Sequence, residues 1–307
     1  LPLLVLAGCA TEVAPDRRIE DPELFGRVRT IADELGPSTR VAVWLSRAGE
    51  PPILAWNAAM PIPCASSIKA AYLVELFASR SGGLDEPLPD AERLLDDEHP
   101  AVAHFTPEQR ATARQELARA SVRRIGEVMI DGSGVDNATY NIAANLVTAW
   151  CGGPAWLDER LRARDREWAG LDVRRYMLAD RRKYGDNEIT AAALADVYED
   201  IARAEVPRMS APTLEAVREV LANGTSADGW LQFGKDGALD SDPVTRVRAG
   251  YVARPDGPLV HVVALAQHNV PPAERAAAGV RLAAATERIE RLLLDRPIRP
   301  VAPDEQD

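Results

Sequence analysis

The chain has 307 residues, 46% of them hydrophobic, and can bury a substantial core in one large domain or two moderate ones. Its formal net charge of -11 and its pI near 5.0 argue against a nucleic-acid-binding protein, which normally presents a basic face. We therefore expect small-molecule partners and no nucleic acid.

Residues 1–20 are predicted to be the remnant of an export signal followed by a linker. An apolar run ends in Leu6-Ala7-Gly8-Cys9, which resembles the signal of bacterial lipoproteins. The resemblance implies that Cys9 is lipidated and anchors an exported protein to a membrane, in the periplasm or at the cell surface. A chance apolar terminus is the alternative. No other segment has the length of a membrane span.

Strands are predicted near both ends of the chain, with helices between them. The predicted elements, in chain order, are a helix at 21–35, strands at 40–46 and 52–56, an apolar helix at 66–80, a mostly helical stretch at 106–224, strands at 231–235, 244–253 and 259–267, and a helix at 272–295. This order predicts an α+β fold, with an antiparallel sheet flanked by terminal helices and an inserted all-helical lobe.

We expect one folded domain, at 21–297. Its α/β lobe is predicted at about 21–62 and 206–297, its helical lobe at about 63–205, and a disordered tail at 298–307.

Lysine is rare in this chain and stands where a base would be useful. Of the 36 basic residues only Lys69, Lys183 and Lys235 are lysines. Arginine stays protonated near neutral pH, whereas a buried lysine can lose its proton.

Ser66 and Lys69 project from the same face of the predicted apolar helix. The N-terminus of that helix adds unpaired N–H groups and a positive field, and a partly desolvated lysine there can deprotonate a serine hydroxyl. By itself this spacing also occurs by chance, as an ordinary helix start with a solvated lysine.

Four motifs in order resemble the class A β-lactamases and their penicillin-binding relatives. They are Ala65-Ser66-Ser67-Ile68-Lys69 for the nucleophile, Asp136-Asn137 for the second motif, Gly152-Gly153-Pro154 for the turn after it, and Gly234-Lys235-Asp236-Gly237 where the family has Lys-Thr-Gly or Lys-Ser-Gly. The likeness runs from about residue 21 to residue 295. It implies the β-lactamase-like fold and serine acyl transfer without a cofactor or a metal.

The resemblance also implies a role for each matching residue. Ser66 would be acylated and Lys69 would be its base. Asn137 would touch Lys69 and a substrate amide, and Lys235 would attract a substrate carboxylate. The backbone N–H groups of Ser66 and Ala238 would form the oxyanion hole. The remaining substrate-binding candidates are Ser133, Asp236, Gly237 and Arg248.

Two motif positions depart from the family. The serine of the second motif falls on Val135, and either Ser133 supplies that hydroxyl or its Gly-Ser-Gly segment is a plain turn. Asp236 replaces a hydroxyl residue and would repel a substrate carboxylate unless Arg246 or Arg248 neutralises one of the two charges.

A third departure concerns release of the acyl group. The family's deacylating glutamate falls at or beside Arg175, and Glu167 lies too early in the chain. Loss of a general base typically costs a hundredfold to ten-thousandfold in rate, roughly, which predicts a long-lived acyl-enzyme.

Three functions remain open from the sequence. The first is a β-lactamase-like serine hydrolase that is slow to deacylate, acting on an ester, a peptide of peptidoglycan type or a β-lactam. The second is a non-catalytic lipoprotein that binds cell-wall fragments. The third is an active β-lactamase or D-Ala-D-Ala carboxypeptidase. Neither a zinc site nor a disulfide between Cys64 and Cys151 is predicted.

Overall fold

The computed structural model describes residues 17–132, 134–165, 167–226 and 228–295. The predictions made for Cys9, for Ser133 and for the tail at 298–307 fall outside these residues. They remain predictions.

The described chain contains eleven α-helices and eleven strands. The helices are α1 (Pro22–Asp33), α2 (Lys69–Ser79), α3 (Ala91–Leu94), α4 (Pro107–Leu117), α5 (Val122–Ile130), α6 (Asn137–Trp150), α7 (Pro154–Arg164), α8 (Arg181–Tyr184), α9 (Ala191–Arg203), α10 (Ala211–Leu221) and α11 (Arg275–Leu294). The strands are β1 (Arg17–Ile19), β2 (Thr39–Arg47), β3 (Leu54–Trp56), β4 (Ile62–Pro63), β5 (Leu171–Asp172), β6 (Glu188–Ile189), β7 (Ala222–Thr225), β8 (Leu231–Gly234), β9 (Gly237–Leu239), β10 (Val244–Val252) and β11 (Leu259–Gln267).

The main sheet is antiparallel and has the strand order β1-β3-β2-β11-β10-β8-β7, with β9 also paired to β10. Helices α1 and α11 pack together over one face of the sheet, and α9 covers the other. A small second sheet, in the order β4-β6-β5, lies beside the helical lobe. The predicted α+β architecture is confirmed.

Local signals in the sequence account for several helix starts. The side chain of Asp21 accepts a hydrogen bond from the backbone of Leu24, so the predicted helix at 21–35 begins at Pro22. Thr106 caps α4 in a complete capping box with Gln109. The apolar helix predicted from Ser66 begins three residues later, at Lys69.

The lobes are divided differently from the predicted boundaries. Helix α9, which falls within the predicted helical lobe, packs against β2, β10 and β11. Helix α10, placed by prediction in the α/β lobe, packs instead against α2 and α5. The apolar periodicity of each helix predicts which of its faces is buried, but it carries no information about the partner element.

Two cores result from this arrangement. Alternate residues of β10 lie in opposite cores: Val247 and Ala249 in the core under the helical lobe and α9, Val244 and Val252 in the core under α1 and α11. The large sheet therefore separates the two cores, and α2 is almost entirely buried among α5, α6, α7 and α10.

Candidate active site

The residues before α2 form a tight turn that exposes one serine and buries the other. The hydroxyl of Ser67 donates to the carbonyl of Cys64 at 2.8 Å, and the Lys69 N–H donates to the carbonyl of Ser66 at 3.1 Å. Ala65 adopts a left-handed backbone conformation, with φ of 50°. Ser67 is fully buried, whereas Ser66 is partly exposed. Of the two hydroxyls, only that of Ser66 is therefore placed to meet a substrate.

Lys69 is buried completely, and in the part of the chain that the structure describes its Nζ hydrogen-bonds to uncharged groups. Its Nζ donates to Asn141 Oδ1 at 3.2 Å and to the carbonyl of Tyr140 at 3.4 Å. Burial lowers the pKa of Lys69 well below its ordinary value, and the nearby charge of Lys235 lowers it further, against a small opposing effect of Cys64. Within the described chain no carboxylate offsets these effects.

The asparagine that meets Lys69 is Asn141, four residues after the predicted Asn137. Asn141 Nδ2 donates to the backbone carbonyl of Asn137 at 2.8 Å and to its Oδ1 at 3.2 Å. This orientation turns Oδ1 of Asn141 toward Lys69. The contact expected of Asn137 was therefore placed one helical turn too early, and Asn137 instead holds the amide of Asn141.

A signal for Asn141 was present in the sequence. Polar residues recur along one face of an otherwise apolar helix α6, at Asn137, Asn141, Asn145 and Thr148. Asn141 is 6% exposed and Asn145 is fully buried. Because buried amides need partners, a polar stripe of this kind indicates a polar site beneath the helix.

Tyr140 lies between the two lysines of the motifs. The centre of its ring is 3.1 Å from Lys69 Nζ and 5.3 Å from Lys235 Nζ. The ring also packs on Gly132, where a Cβ atom would lie 2.9 Å from Cδ2 of Tyr140. Lys69 and Lys235, predicted to share one site, are thus brought together around one aromatic ring.

Gly237 brings the late strand against the turn of Ser66. A Cβ atom at Gly237 would lie 2.6 Å from the carbonyl oxygen of Cys64 and 3.0 Å from the backbone nitrogen of Ser67. A side chain of any size is therefore excluded, because the opposing atoms belong to the backbone. The next residue along the strand is Ala238, whose backbone N–H was expected to form part of the oxyanion hole.

Asp236 and Arg248 lie at the same end of this strand. The Arg248 guanidinium is 4.0 Å from the carboxylate of Asp236 and 2.5 Å from that of Glu290, which also contacts His261 at 3.0 Å. The other candidate, Arg246, binds Asp240 at 2.6 Å.

Several solved β-lactamase structures resemble this chain in fold. A β-lactamase from Chitinophaga pinensis superposes with a TM-score of 0.64 at 19% identity, over 89% of this chain and 98% of the other. An ancestral class A β-lactamase gives 0.64 at 19%, over 89% and 99%. A β-lactamase from Streptomyces albus G gives 0.59 at 19%, over 85% and 98%.

This chain has the class A β-lactamase fold. No protein-family model matches the sequence, and no curated protein matches it significantly. At such low identities the likeness establishes the architecture, so the chemistry of the site rests on the residues present in this chain.

Arg175 occupies the loop in which the β-lactamase fold led us to expect a deacylating glutamate. Its guanidinium is held by the carboxylate of Asp186 at 3.1 Å and by the carbonyl of Ala179 at 3.0 Å. Asn187 Oδ1 accepts a hydrogen bond from the backbone N–H of Arg175 at 2.9 Å, and the backbone carbonyl of Asn187 accepts one from the N–H of Cys64 at 2.9 Å. Asn187 thus links this loop to the turn that carries the candidate nucleophile.

Glu167 lies in a short 3-10 helix that contacts α9. There burial raises the pKa of Asp196 and of Asp200, and the charge of Glu167 raises both further. The adjacent Trp168 is buried and donates to Asp200 at 3.0 Å. Glu167 therefore belongs to an acidic cluster that it forms with Asp196 and Asp200 of α9.

Three further findings concern the cysteines, metal sites and membrane spans of the described residues. Cys64 and Cys151 are buried free thiols. No group of three or more histidine, cysteine or acidic side chains is arranged to hold a metal ion in the described ranges. None of the helices described has the length and apolar character needed to cross a membrane.

Proposed function

We propose that the protein is a serine acyl hydrolase that forms an acyl-enzyme at Ser66, with Lys69 as the base. The observation that carries this proposal is the environment of Lys69, which is fully buried and hydrogen-bonded only to an amide oxygen and a backbone carbonyl. A neutral amine has two N–H bonds for these two acceptors, and its lone pair remains available for the proton of a hydroxyl.

The proposed acylation step balances with these groups alone. Ser66 Oγ attacks the carbonyl carbon of the substrate while its proton passes to Lys69 Nζ. The backbone N–H groups of Ser66 and Ala238 stabilise the oxyanion. When the bond to the leaving group breaks, the proton on Lys69 passes to the leaving atom, and the acyl group remains as an ester of Ser66.

We expect the second half-reaction, hydrolysis of that ester, to be slow. Arg175 occupies the expected position of the base and is engaged with Asp186. Without a carboxylate to activate water, the rate falls by roughly a hundredfold to ten-thousandfold. The acyl-enzyme would then accumulate.

The second candidate function is a non-catalytic protein that binds cell-wall fragments. It is favoured by the departures at Val135 and Arg175 together with the carboxylate of Asp236. In that case Ser66 would line a binding cleft without becoming acylated.

Intact mass spectrometry after incubation with benzylpenicillin, and separately with a fluorophosphonate, distinguishes these functions. We expect a stable adduct of one penicilloyl group with the first reagent and of one phosphonyl group with the second, both lost in Ser66→Ala. Ser67→Ala, which removes the neighbouring buried hydroxyl, is the matched control and should keep the adduct, with folding verified by circular dichroism.

Each other outcome has a definite meaning. An adduct that disappears within minutes indicates an active β-lactamase. Absence of any adduct with both reagents favours the binding protein. Full labelling of Ser66→Ala rules out Ser66 as the acylated residue.

We also propose that the protein is exported and anchored by a lipid on Cys9. This rests on the lipoprotein-like segment alone. Metabolic labelling with palmitate and membrane fractionation test it: Cys9→Ser should lose the label and leave the membrane fraction.

A further inference from the structure

The aromatic ring of Tyr140 lies directly against the side-chain nitrogen of Lys69. The centre of the ring is 3.1 Å from Lys69 Nζ, which is as near as Asn141 Oδ1 at 3.2 Å and nearer than the Tyr140 carbonyl oxygen at 3.4 Å. A positive charge within about 6 Å of a ring centre is attracted by the negative face of the ring. Lys69 Nζ is well inside that range.

Two features of the fold hold the ring in this place. Gly132, in the turn after α5, packs on the ring, where a Cβ atom would lie 2.9 Å from Tyr140 Cδ2. Tyr140 and Asn141 are consecutive residues near the start of α6. The helix therefore presents the ring and the amide oxygen of Asn141 to Lys69 together.

The charges around Lys69 leave its ammonium form without an anionic partner. The titratable groups that act on it are Lys235, between β8 and β9, and Cys64, in the turn before α2. Lys235 repels a second positive charge, and burial raises the pKa of Cys64 to about 12, so that its thiol is neutral. The phenol of Tyr140 is the remaining titratable group in contact. An ammonium group buried in such surroundings is costly.

Acylation nevertheless creates that ammonium group, because Lys69 accepts the proton of Ser66 in the proposed mechanism. We propose that the face of the Tyr140 ring takes the place of a counter-ion for Lys69 and stabilises the ammonium group formed during acylation. The inference rests on the proposed acylation of Ser66. It makes Tyr140 a positioning residue that acts through Lys69, and it assigns the effect to the ring and not to the phenolic hydroxyl.

The titration of Lys69 can be measured directly, because the chain has only three lysines. Lysine labelled with carbon-13 at Cε gives three NMR signals, which Lys183→Arg and Lys235→Arg assign. Their shifts between pH 5 and pH 11 give the pKa of Lys69 without any reaction of the protein.

Tyr140→Leu should lower the pKa of Lys69 by about one unit, since a desolvated cation loses its attraction to the ring. Tyr140→Phe keeps the ring and should match wild type. Tyr184→Leu is the matched control, because it removes a surface ring whose centre is 4.8 Å from Lys183 Nζ. It should leave the titration of Lys69 unchanged.

The rate of reaction at Ser66 gives a second readout. A fluorophosphonate forms a bond from Ser66 Oγ to phosphorus and breaks the P–F bond, while the serine proton passes to Lys69 and fluoride leaves. Tyr140→Leu should slow this step roughly tenfold at a pH where Lys69 is neutral, and Tyr140→Phe should not.

A series of ring substitutions separates the charge distribution of the ring from its size. Tyr140 is replaced by phenylalanine, 4-fluorophenylalanine and 3,4,5-trifluorophenylalanine, which keep a ring of similar size and weaken its negative face stepwise. The pKa of Lys69 should fall in that order. This series decides the inference even if Tyr140→Leu does not fold.

Three results would overturn the inference: an equal pKa of Lys69 across the fluorinated series, an equal loss in Tyr140→Phe and Tyr140→Leu, or a wild-type Lys69 that stays neutral down to pH 5. Absence of phosphonylation that depends on Ser66 contradicts the proposed hydrolase instead. The NMR titration still decides the role of the ring in that case.

Discussion

Burial and the charge of Lys235 act in the same direction on Lys69, and both favour its neutral form. The partners of its Nζ, a carbonyl and an amide oxygen, impose no charge of their own. A lysine in such surroundings gives up its proton at a lower pH than an exposed lysine does, which favours a role as a base. The chemistry proposed for this protein depends on that single proton.

Acylation should therefore be fast at neutral pH and slow in acid. Burial lowers the folded-state pKa of Lys69, so the reactive neutral amine persists to a lower pH than in an exposed lysine and is lost as falling pH protonates it. Single-turnover labelling between pH 5 and pH 9 measures this profile. Lys69→Met should acylate about a hundredfold to ten-thousandfold more slowly, whereas Lys183→Met, at an exposed site, should match wild type. Acylation by Lys69→Met within a few-fold of wild type would contradict the role of Lys69.

The roles of Asn137 and Asn141 in helix α6 can be separated in the same assay. Asn141→Ala removes the amide acceptor of Lys69 and should slow acylation by roughly tenfold to a hundredfold, equivalent to about 1.4 to 3 kcal/mol. Asn137→Ala removes only the side-chain acceptor of Asn141 and leaves the backbone carbonyl in place, so the loss should be a few-fold. A larger loss in Asn137→Ala would restore the role expected from the sequence.

At the scale of elements, the site depends on one close approach, between strand β9 and the turn before α2. The strand can approach because Gly237 has no side chain. The same approach links the two lobes, since the turn leads into α2 and the strand belongs to the main sheet.

Gly237→Ala should impair acylation more than it impairs folding. The added Cβ would lie 2.6 Å from the backbone oxygen of Cys64, so the strand, including Ala238, must move away from the turn of Ser66. We expect at least a tenfold slower acylation and a loss of roughly 1 to 3 kcal/mol in unfolding free energy, measured by urea titration. Gly26→Ala, in helix α1 with no atom near the new Cβ, should be neutral or stabilising by up to about 1 kcal/mol. Equal behaviour of the two variants would argue against the close approach.

The order of motifs along the chain predicted which elements carry the chemistry. Ser66, Lys69 and Lys235 were identified from short patterns, and the structure brings Lys69 and Lys235 to one ring, that of Tyr140. The register within α6 was misjudged, because the Asp136-Asn137 pair resembles the second motif whereas Asn141 makes the contact. Asn137 and Asn141 lie one helical turn apart on the same face of α6, and only the packing of the helix shows which of them contacts Lys69.

For the whole molecule, the acidic cluster of Asp196, Asp200 and Glu167 makes the free energy of unfolding depend on pH. Burial, reinforced by nearby carboxylates, raises the pKa of Asp196 to about 9 and that of Asp200 to about 7. The folded protein then holds these protons more tightly than the unfolded chain. The contribution of the protonated Asp196 and Asp200 to stability is full below about pH 4 and is lost as the pH rises through their folded-state pKa values.

Asp196→Asn should therefore stabilise the protein at alkaline pH. The neutral amide keeps the shape of the side chain and removes the cost of ionising it, so we expect a gain of roughly 1 to 3 kcal/mol near pH 9 and little change near pH 4. Urea titrations of variant and wild type at several pH values measure the difference. A difference that is constant with pH would show that Asp196 titrates normally.

Much of the molecule follows from short-range patterns in the amino-acid order. Apolar periodicity, caps and turn residues located the strands at both ends and the helices between them, and two motifs pointed to Ser66, Lys69 and Lys235. Such patterns act over a few residues and are readable without coordinates. Long-range packing settled the rest: the partner of Lys69 on α6, the lobes that α9 and α10 join, and the capture of Arg248 by Glu290. These features depend on residues far apart in the chain, whose contact energies leave no local trace in the sequence.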